Sequence, residues 1–306
     1  MNSQVKLAII AISITVPLIS FAVMFSDSNQ FKKANESKLH VISSFYPLHE
    51  FSKNIGQETI DAKLLVPVGI EPHDWEPTIK NVQQMQKSDL IIINGIGFES
   101  WVDKLTEINY QGAIVDTSNG INIKNNDMAS SINEDYKAES GDPHIWLNPV
   151  FAKIQVQNIA DAFSNLDPEN QEYFQRNASN YIDELNMLDL KIRNELSGCN
   201  HDFIAFHDAF SYFADEYGLT QHTIISSYTP HGEVTAKTLE NVITKAEQLK
   251  LKVIFTEETT DPKTSQIIAN AIGAKILVLS PLEITSDGTY ISRMTENLNH
   301  LKEALC

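Results

Sequence analysis

Between Phe174 and Leu196, apolar residues recur at steps of three and four: Phe174, Ala178, Tyr181, Leu185, Leu188, Ile192 and Leu196. That spacing lines one face of a single helix. Asp167 offers an N-cap, Pro168 suits the first helical position, and Gly198 is a C-terminal stop. About 30 residues at this rise make a rod roughly 45 Å long. A rod of that length runs along two lobes rather than inside one.

Each side of the helix carries the same kind of pattern. Before it, strands are expected at Leu39–Ser43, Ile60–Val66, Leu90–Ile93 and Ala113–Val115. Helical patterns at Phe45–Ile55, Thr78–Lys87, Trp101–Ile108 and Pro149–Leu166 alternate with them. After it, strands are expected at Phe203–Phe206, Thr223–Ile225, Val253–Phe255 and Ile276–Leu279. Helices are expected there at Phe210–Tyr217, Thr235–Leu249, Lys263–Ile272 and Tyr290–Leu305. Strands alternating with helices predict parallel sheets flanked by helices. The predicted class is therefore α/β, with two lobes joined by one long backbone helix. The corresponding domains are 1–37 (signal or membrane anchor and tether), 38–166 (first lobe), 167–198 (connecting helix) and 199–306 (second lobe). The acidic, aperiodic stretch from Ile123 to Gly141 reads as a surface loop.

Lys6 precedes an uncharged run from Leu7 to Phe25, roughly 28 Å long as a helix and close to the thickness of a bilayer core. This is a secretory signal or an uncleaved anchor. Its length, and the lack of a small-x-small cleavage site at Phe21–Phe25, favour the anchor. No cysteine follows it for lipid attachment, and the polar stretch Ser26–Ser37 reads as a tether. Either way the rest of the chain is expected outside the cytoplasm. There Cys199 and Cys306 can pair, which would tie the last residue to the middle of the chain; the alternative is two free thiols. A formal charge of -17 over 306 residues argues against nucleic acid, which demands basic patches. Neither a phosphate-binding glycine loop nor a Gly-x-Ser-x-Gly elbow occurs.

Three of the nine histidines share a setting. His73, in Val68-Gly-Ile-Glu-Pro-His-Asp-Trp75, His144, in Gly141-Asp-Pro-His-Ile-Trp146, and His207, closing Phe203-Ile-Ala-Phe206, each lie at or near an expected strand end. Open α/β folds bind ligands outside the carboxyl ends of their strands. Three imidazoles meeting there would suit a borderline-soft cation such as zinc. Taken singly, each histidine fits a structural role better. His49-Glu50 has no second histidine four residues on, so the zinc-protease helix is absent. His231 reads as a loop residue that could lie near the cleft, and His40, His201, His222 and His300 read as surface or edge residues.

A series of motifs carries a resemblance over about residues 39 to 305. Ser44-Phe-Tyr-Pro-Leu48, Pro67-Val-Gly-Ile-Glu-Pro-His-Asp-Trp-Glu-Pro77 and Asn94-Gly-Ile-Gly-Phe-Glu-Ser-Trp101 resemble the N-terminal lobe of the zinc/manganese solute-binding proteins. Asp142-Pro-His-Ile-Trp-Leu-Asn-Pro149, Ala205-Phe-His-Asp-Ala-Phe-Ser-Tyr-Phe213, Val253-Ile-Phe-Thr-Glu257 and Leu279-Ser-Pro-Leu-Glu283 continue it. These are the cluster A-I receptors of ABC importers, called ZnuA-like or TroA-like. The resemblance implies two α/β lobes, a stiff connecting helix and one ion in the cleft. By position it implies His73, His144 and His207 as ligands. Many members have an aspartate at the place of Ser280; a zinc subgroup has a glutamate at that of Glu283. The resemblance therefore implies Glu283 as the fourth ligand. Glu257 is the runner-up, or an acceptor behind an imidazole, and water the remaining alternative. Asp208 either orients an imidazole or holds a turn.

Three histidines and a carboxylate make a closed four-coordinate site suited to Zn2+. Manganese receptors of the family tend to exchange a histidine for a carboxylate, so Mn2+ is the secondary candidate. The implied function is extracytoplasmic capture of Zn2+ by a monomeric, non-enzymatic receptor that delivers it to an ABC permease driven by a separate ATPase. The competing readings are a manganese receptor, a zinc hydrolase and a surface adhesin with structural zinc. The aromatic residues Phe45, Tyr46, Trp75, Trp146 and Phe210 flank the proposed ligands and either pack the core or keep the cleft dry.

Overall fold

Four short segments, β1 (Leu39–Ser43), β2 (Ile60–Leu64), β3 (Leu90–Ile93) and β4 (Ala113–Asp116), pair in parallel in the order β2-β1-β3-β4. The computed structural model describes residues 38–124, 141–231, 234–258, 260–284 and 288–306. The expected anchor and tether, and most of the acidic loop, lie outside the described residues. Among the described residues no helix is long and apolar enough to cross a membrane. All four residues of β3 are buried, as its unbroken Leu-Ile-Ile-Ile run requires of an inner parallel strand.

Helices α1 (Tyr46–Gly56), α2 (Ile79–Met85), α3 (Asp103–Glu107) and α4 (Pro149–Leu166) connect and follow these strands. Their starts are written locally. Pro47 sits in the first turn of α1, Thr78 and Asn81 form a capping box on α2, and Asn148 caps α4 ahead of Pro149.

The long helix α5 runs from Gln171 to Leu196. It starts later than its sequence suggests, because a 3-10 turn at Pro168–Asn170 intervenes. Asp167 does not cap α5; its carboxylate accepts a hydrogen bond from Asn170 Nδ2 at 2.7 Å. The whole stripe from Phe174 to Leu196 is buried. It joins one hydrophobic core with Phe51 of α1, Ile159 of α4, and Phe203 and Phe255 from beyond the helix. A fully buried Leu or Phe contributes about 1.5–3 kcal/mol, so this seam holds both halves of the chain to one rod. Gly198, at φ 82, turns the chain out of the helix in a conformation that favours glycine.

Beyond it, β5 (Asp202–Ala205) pairs with β6 (Thr220–Thr223), and β7 (Val253–Thr256) with β8 (Lys275–Val278), both in parallel. Helices α6 (Ser211–Tyr217), α7 (Ala236–Leu249), α8 (Lys263–Ile272) and α9 (Tyr290–Leu305) surround them. One strand is displaced from its expected place at Thr223–Ile225. The polar Thr220–Thr223 forms the ladder, while Ile224 and Ile225 lie just past it, buried, with their N–H groups on the Ala205 and Phe206 carbonyls. Apolar character marked burial there rather than the strand itself. Cys199 and Cys306 are joined in a disulfide, 107 residues apart in sequence, which fastens the end of α9 to the segment after α5.

Candidate metal centre

Each histidine of interest leaves a strand or approaches a helix on a short, tightly bonded segment. His73 lies in the loop after β2, where its N–H donates to Glu71 Oε1 at 3.2 Å and its ring meets Phe98 edge-on at 4.7 Å. His144 immediately precedes the 3-10 turn Ile145–Leu147 that leads into α4. Asp142 Oδ1 accepts both its backbone N–H, at 3.0 Å, and its Nδ1, at 2.8 Å. Asp142 is fixed in turn by the Ser211 hydroxyl on its carboxylate and the Tyr212 hydroxyl on its carbonyl. His207 follows β5 by two residues, and its Nδ1 bonds Glu257 Oε1, just past β7, at 2.7 Å. Glu283 sits on the loop after β8.

These four side chains converge. Glu283 Oε1 lies 3.2 Å from His73 Nε2, 3.3 Å from His144 Nε2 and 3.7 Å from His207 Nε2. His144 Nε2 and His207 Nε2 are 3.3 Å apart, and all four candidate ligand atoms lie within 4.8 Å of one another. Ligands at about 2.0–2.1 Å from a tetrahedral ion stand roughly 3.3–3.4 Å from each other; four of the separations here, at 3.2–3.7 Å, come close to that, and all lie within 4.8 Å. Carboxylates on Nδ1 of His144 and His207 keep the proton on that nitrogen and aim the Nε2 lone pair inward. The four side chains singled out in the sequence are thus brought together, with the histidine Nε2 atoms toward Glu283.

The electrostatics show what a cation would relieve. His144 and His207 are fully buried and Glu283 nearly so. Burial pushes the Glu283 carboxyl up, but His73, His144 and His207 together hold it well below the usual carboxylate range. Burial opposes charge on His207 as well, yet Glu257 and Glu283 raise it well above an ordinary imidazole; Asp142 and Glu283 raise His144. His73 goes the other way, lowered mainly by burial. Glu71, half-buried near Glu283, is pushed up to about 8, first by its partial burial and then by that carboxylate. Nearby negative charge therefore favours positive charge in the cluster, and a divalent cation supplies it at the cost of protons.

The other expected residues fall around this group. Glu257 stands behind His207. Asp208 bonds no imidazole among the described residues; its carboxylate accepts from Gln221 of β6, which is neither an imidazole-orienting nor a turn contact. Ser280 faces away from the cluster, its hydroxyl accepting from Arg293 and Leu282 N. His231 is exposed beside Asp74, at 3.8 Å. Phe45 and Trp146 pack together at 4.6 Å with Trp146 against His144 at 5.1 Å, whereas Trp75 belongs with Trp101 in a separate cluster. Two contributors went unread in the sequence. Asp142 stands two residues before His144, a spacing that allows the Nδ1 bond, and Phe98 lies within the Asn94–Trp101 motif.

Residues 41–304 match the family model described as "Zinc-uptake complex component A periplasmic" (ZnuA). The chain belongs to the ZnuA family. It is 37% identical over 286 residues to the Bacillus subtilis "High-affinity zinc uptake system protein ZnuA", covering 88% of each. It is 31% identical over 303 residues to the Streptococcus pneumoniae "Zinc-binding lipoprotein AdcA", covering 95% of this chain but only 60% of that longer protein. A "Crystal structure of ZnuA" superposes with a TM-score of 0.79 at 28% identity, covering 88% of this chain and all (100%) of the other. The ZnuA family is one of transport components rather than enzymes, and its description places it outside the cytoplasm.

Proposed function

We propose that His73, His144, His207 and Glu283 together ligate one Zn2+, which the protein captures outside the cytoplasm and passes to an ABC permease powered by a separate ATPase. The observation that carries this reading is the convergence of four ligand atoms within 4.8 Å of one another, with Nδ1 of two histidines tied back by carboxylates. The zinc-uptake and zinc-binding relatives support the same cargo. Three imidazoles favour zinc over manganese, whose harder ion prefers oxygen. A hydrolase needs an open position for water and a free base. Four ligands close the site, and Glu257 is engaged by His207.

On this reading residues 38–166 and 199–306 are the two metal-binding lobes and 167–198 the connector. Residues 1–37 act as signal or anchor and tether, with the run from Leu7 to Phe25 the membrane attachment. The receptor works as a monomer. Calorimetry with zinc tests the ligand set. The parent is expected to bind one zinc per chain, and His207→Ala to lose more than the roughly 10–100-fold that outer-partner changes cost. A His207→Ala variant binding zinc as tightly as the parent overturns the assignment.

A further inference from the structure

The loop that carries Glu283 follows an unfavourable path. Leu282 has φ 58, a left-handed conformation that a bulky side chain avoids. Such a bend persists only where the surroundings impose it. Here they come largely from one face of α9. Asn297 grips Ser280 twice, its Oδ1 accepting from Ser280 N at 2.8 Å and its Nδ2 donating to Ser280 O at 2.7 Å. Arg293 then spans the bend. One guanidinium nitrogen donates to Ser280 Oγ at 2.8 Å and to Glu258 Oε1 at 2.7 Å, and another donates to Ile284 O at 2.8 Å. The same side chain thus holds the residues on both sides of Pro281-Leu282-Glu283.

We propose that Arg293 is the positioning residue that sets the Glu283 carboxylate among the three histidines, and so a determinant of zinc affinity. The proposal rests on the reading of Glu283 as a ligand. Arg293 is 4% exposed and lies over the Tyr46 ring at 5.3 Å, so its charge is buried between Glu258 and an aromatic face. Its planar fork makes three bonds that diverge in fixed directions, which a lysine ammonium on a flexible stem cannot reproduce together. Without the fork, Leu282 relaxes toward negative φ and Glu283 turns out of the cluster. Three imidazoles remain, with water in the fourth position.

A double-mutant cycle on the full chain tests this, with zinc affinity read by competition against a chelator. Glu283→Gln is expected to weaken zinc binding strongly. Arg293→Met is expected to weaken it by about 10–100-fold, the range for groups that orient a ligand. The double variant is expected to bind no more weakly than Glu283→Gln alone, because Arg293 acts through that carboxylate. Arg293→Lys, the milder change should Arg293→Met not fold, is expected to fall between Arg293→Met and the parent and to couple in the same way. If Glu283→Gln weakens binding while either Arg293 variant binds like the parent, the positioning role is overturned and the ligand stands. Losses that multiply in the double variant also overturn it, since a general effect on folding would not pass through Glu283. If Glu283→Gln itself binds like the parent, the ligand reading fails and the proposal fails with it.

Discussion

Glu99 is the residue whose ionisation most directly tests the electrostatics beside the cleft. Its buried carboxylate accepts from Ser44 Oγ at 2.6 Å, Asn94 N at 2.7 Å and Gly95 N at 3.2 Å, which staples the ends of β1 and β3 where Phe98 approaches His73. Burial nevertheless pushes its pKa up from 4.5 to about 7. The folded protein then holds a proton that the unfolded chain releases. The stability this group contributes is complete below about 4.5 and is lost as pH rises through about 7, a swing on the order of 3 kcal/mol. Glu99→Gln, compared with the parent by urea denaturation at pH 5 and pH 8 without metal, is expected to remove that part of the decline. An identical pH dependence in both proteins contradicts the assignment. The candidate histidines were legible from their motifs, but the expected strand ends hold only for His207; His73 follows β2 by nine residues, and His144 precedes the 3-10 turn into α4. The bonds that aim them were not legible, because the Glu257–His207 contact joins residues 50 apart that only the fold brings together.

At the scale of elements, the stripe on α5 could be read directly because its period is helical and unbroken. The start of α5 and the position of β6 could not. The proline after Asp167 opened a 3-10 turn first, and β6 uses polar residues whose partner is the β5 backbone. The disulfide closes a segment in which many of these pairings form. Closing 107 residues constrains the unfolded chain by about 4–5 kcal/mol at most in the chain-entropy model. Replacing Cys199 and Cys306 by serine is expected to lower unfolding free energy in denaturant by a few kcal/mol. A change under about 1 kcal/mol means that the bridge adds little to the core that α5 and α9 already share.

Across the whole molecule, the two halves are bonded beside the site as well as along α5. Tyr46 OH donates to Gly288 O at 3.0 Å, and Glu50 Oε1 accepts from Tyr290 N at 3.0 Å. Tyr290 OH donates to Trp146 O at 2.6 Å, while Trp146 Nε1 donates to Pro281 O at 2.7 Å. Opening the two halves apart would break these bonds, two of them fully buried, and breaking them is costly. Zinc binding is therefore expected to move the backbone by about 1 Å or less, as in other preorganised sites. Small-angle scattering with and without zinc is expected to give superimposable curves; a measurable contraction contradicts a preorganised cleft.

Anomalous diffraction at the zinc edge from zinc-loaded crystals tests Glu283 as the fourth ligand most directly. The expected result is one zinc about 2.0–2.2 Å from Nε2 of His73, His144 and His207 and from the Glu283 carboxylate. A zinc held by the three histidines and water, with Glu283 turned away, or by Glu257 in its place, would contradict it.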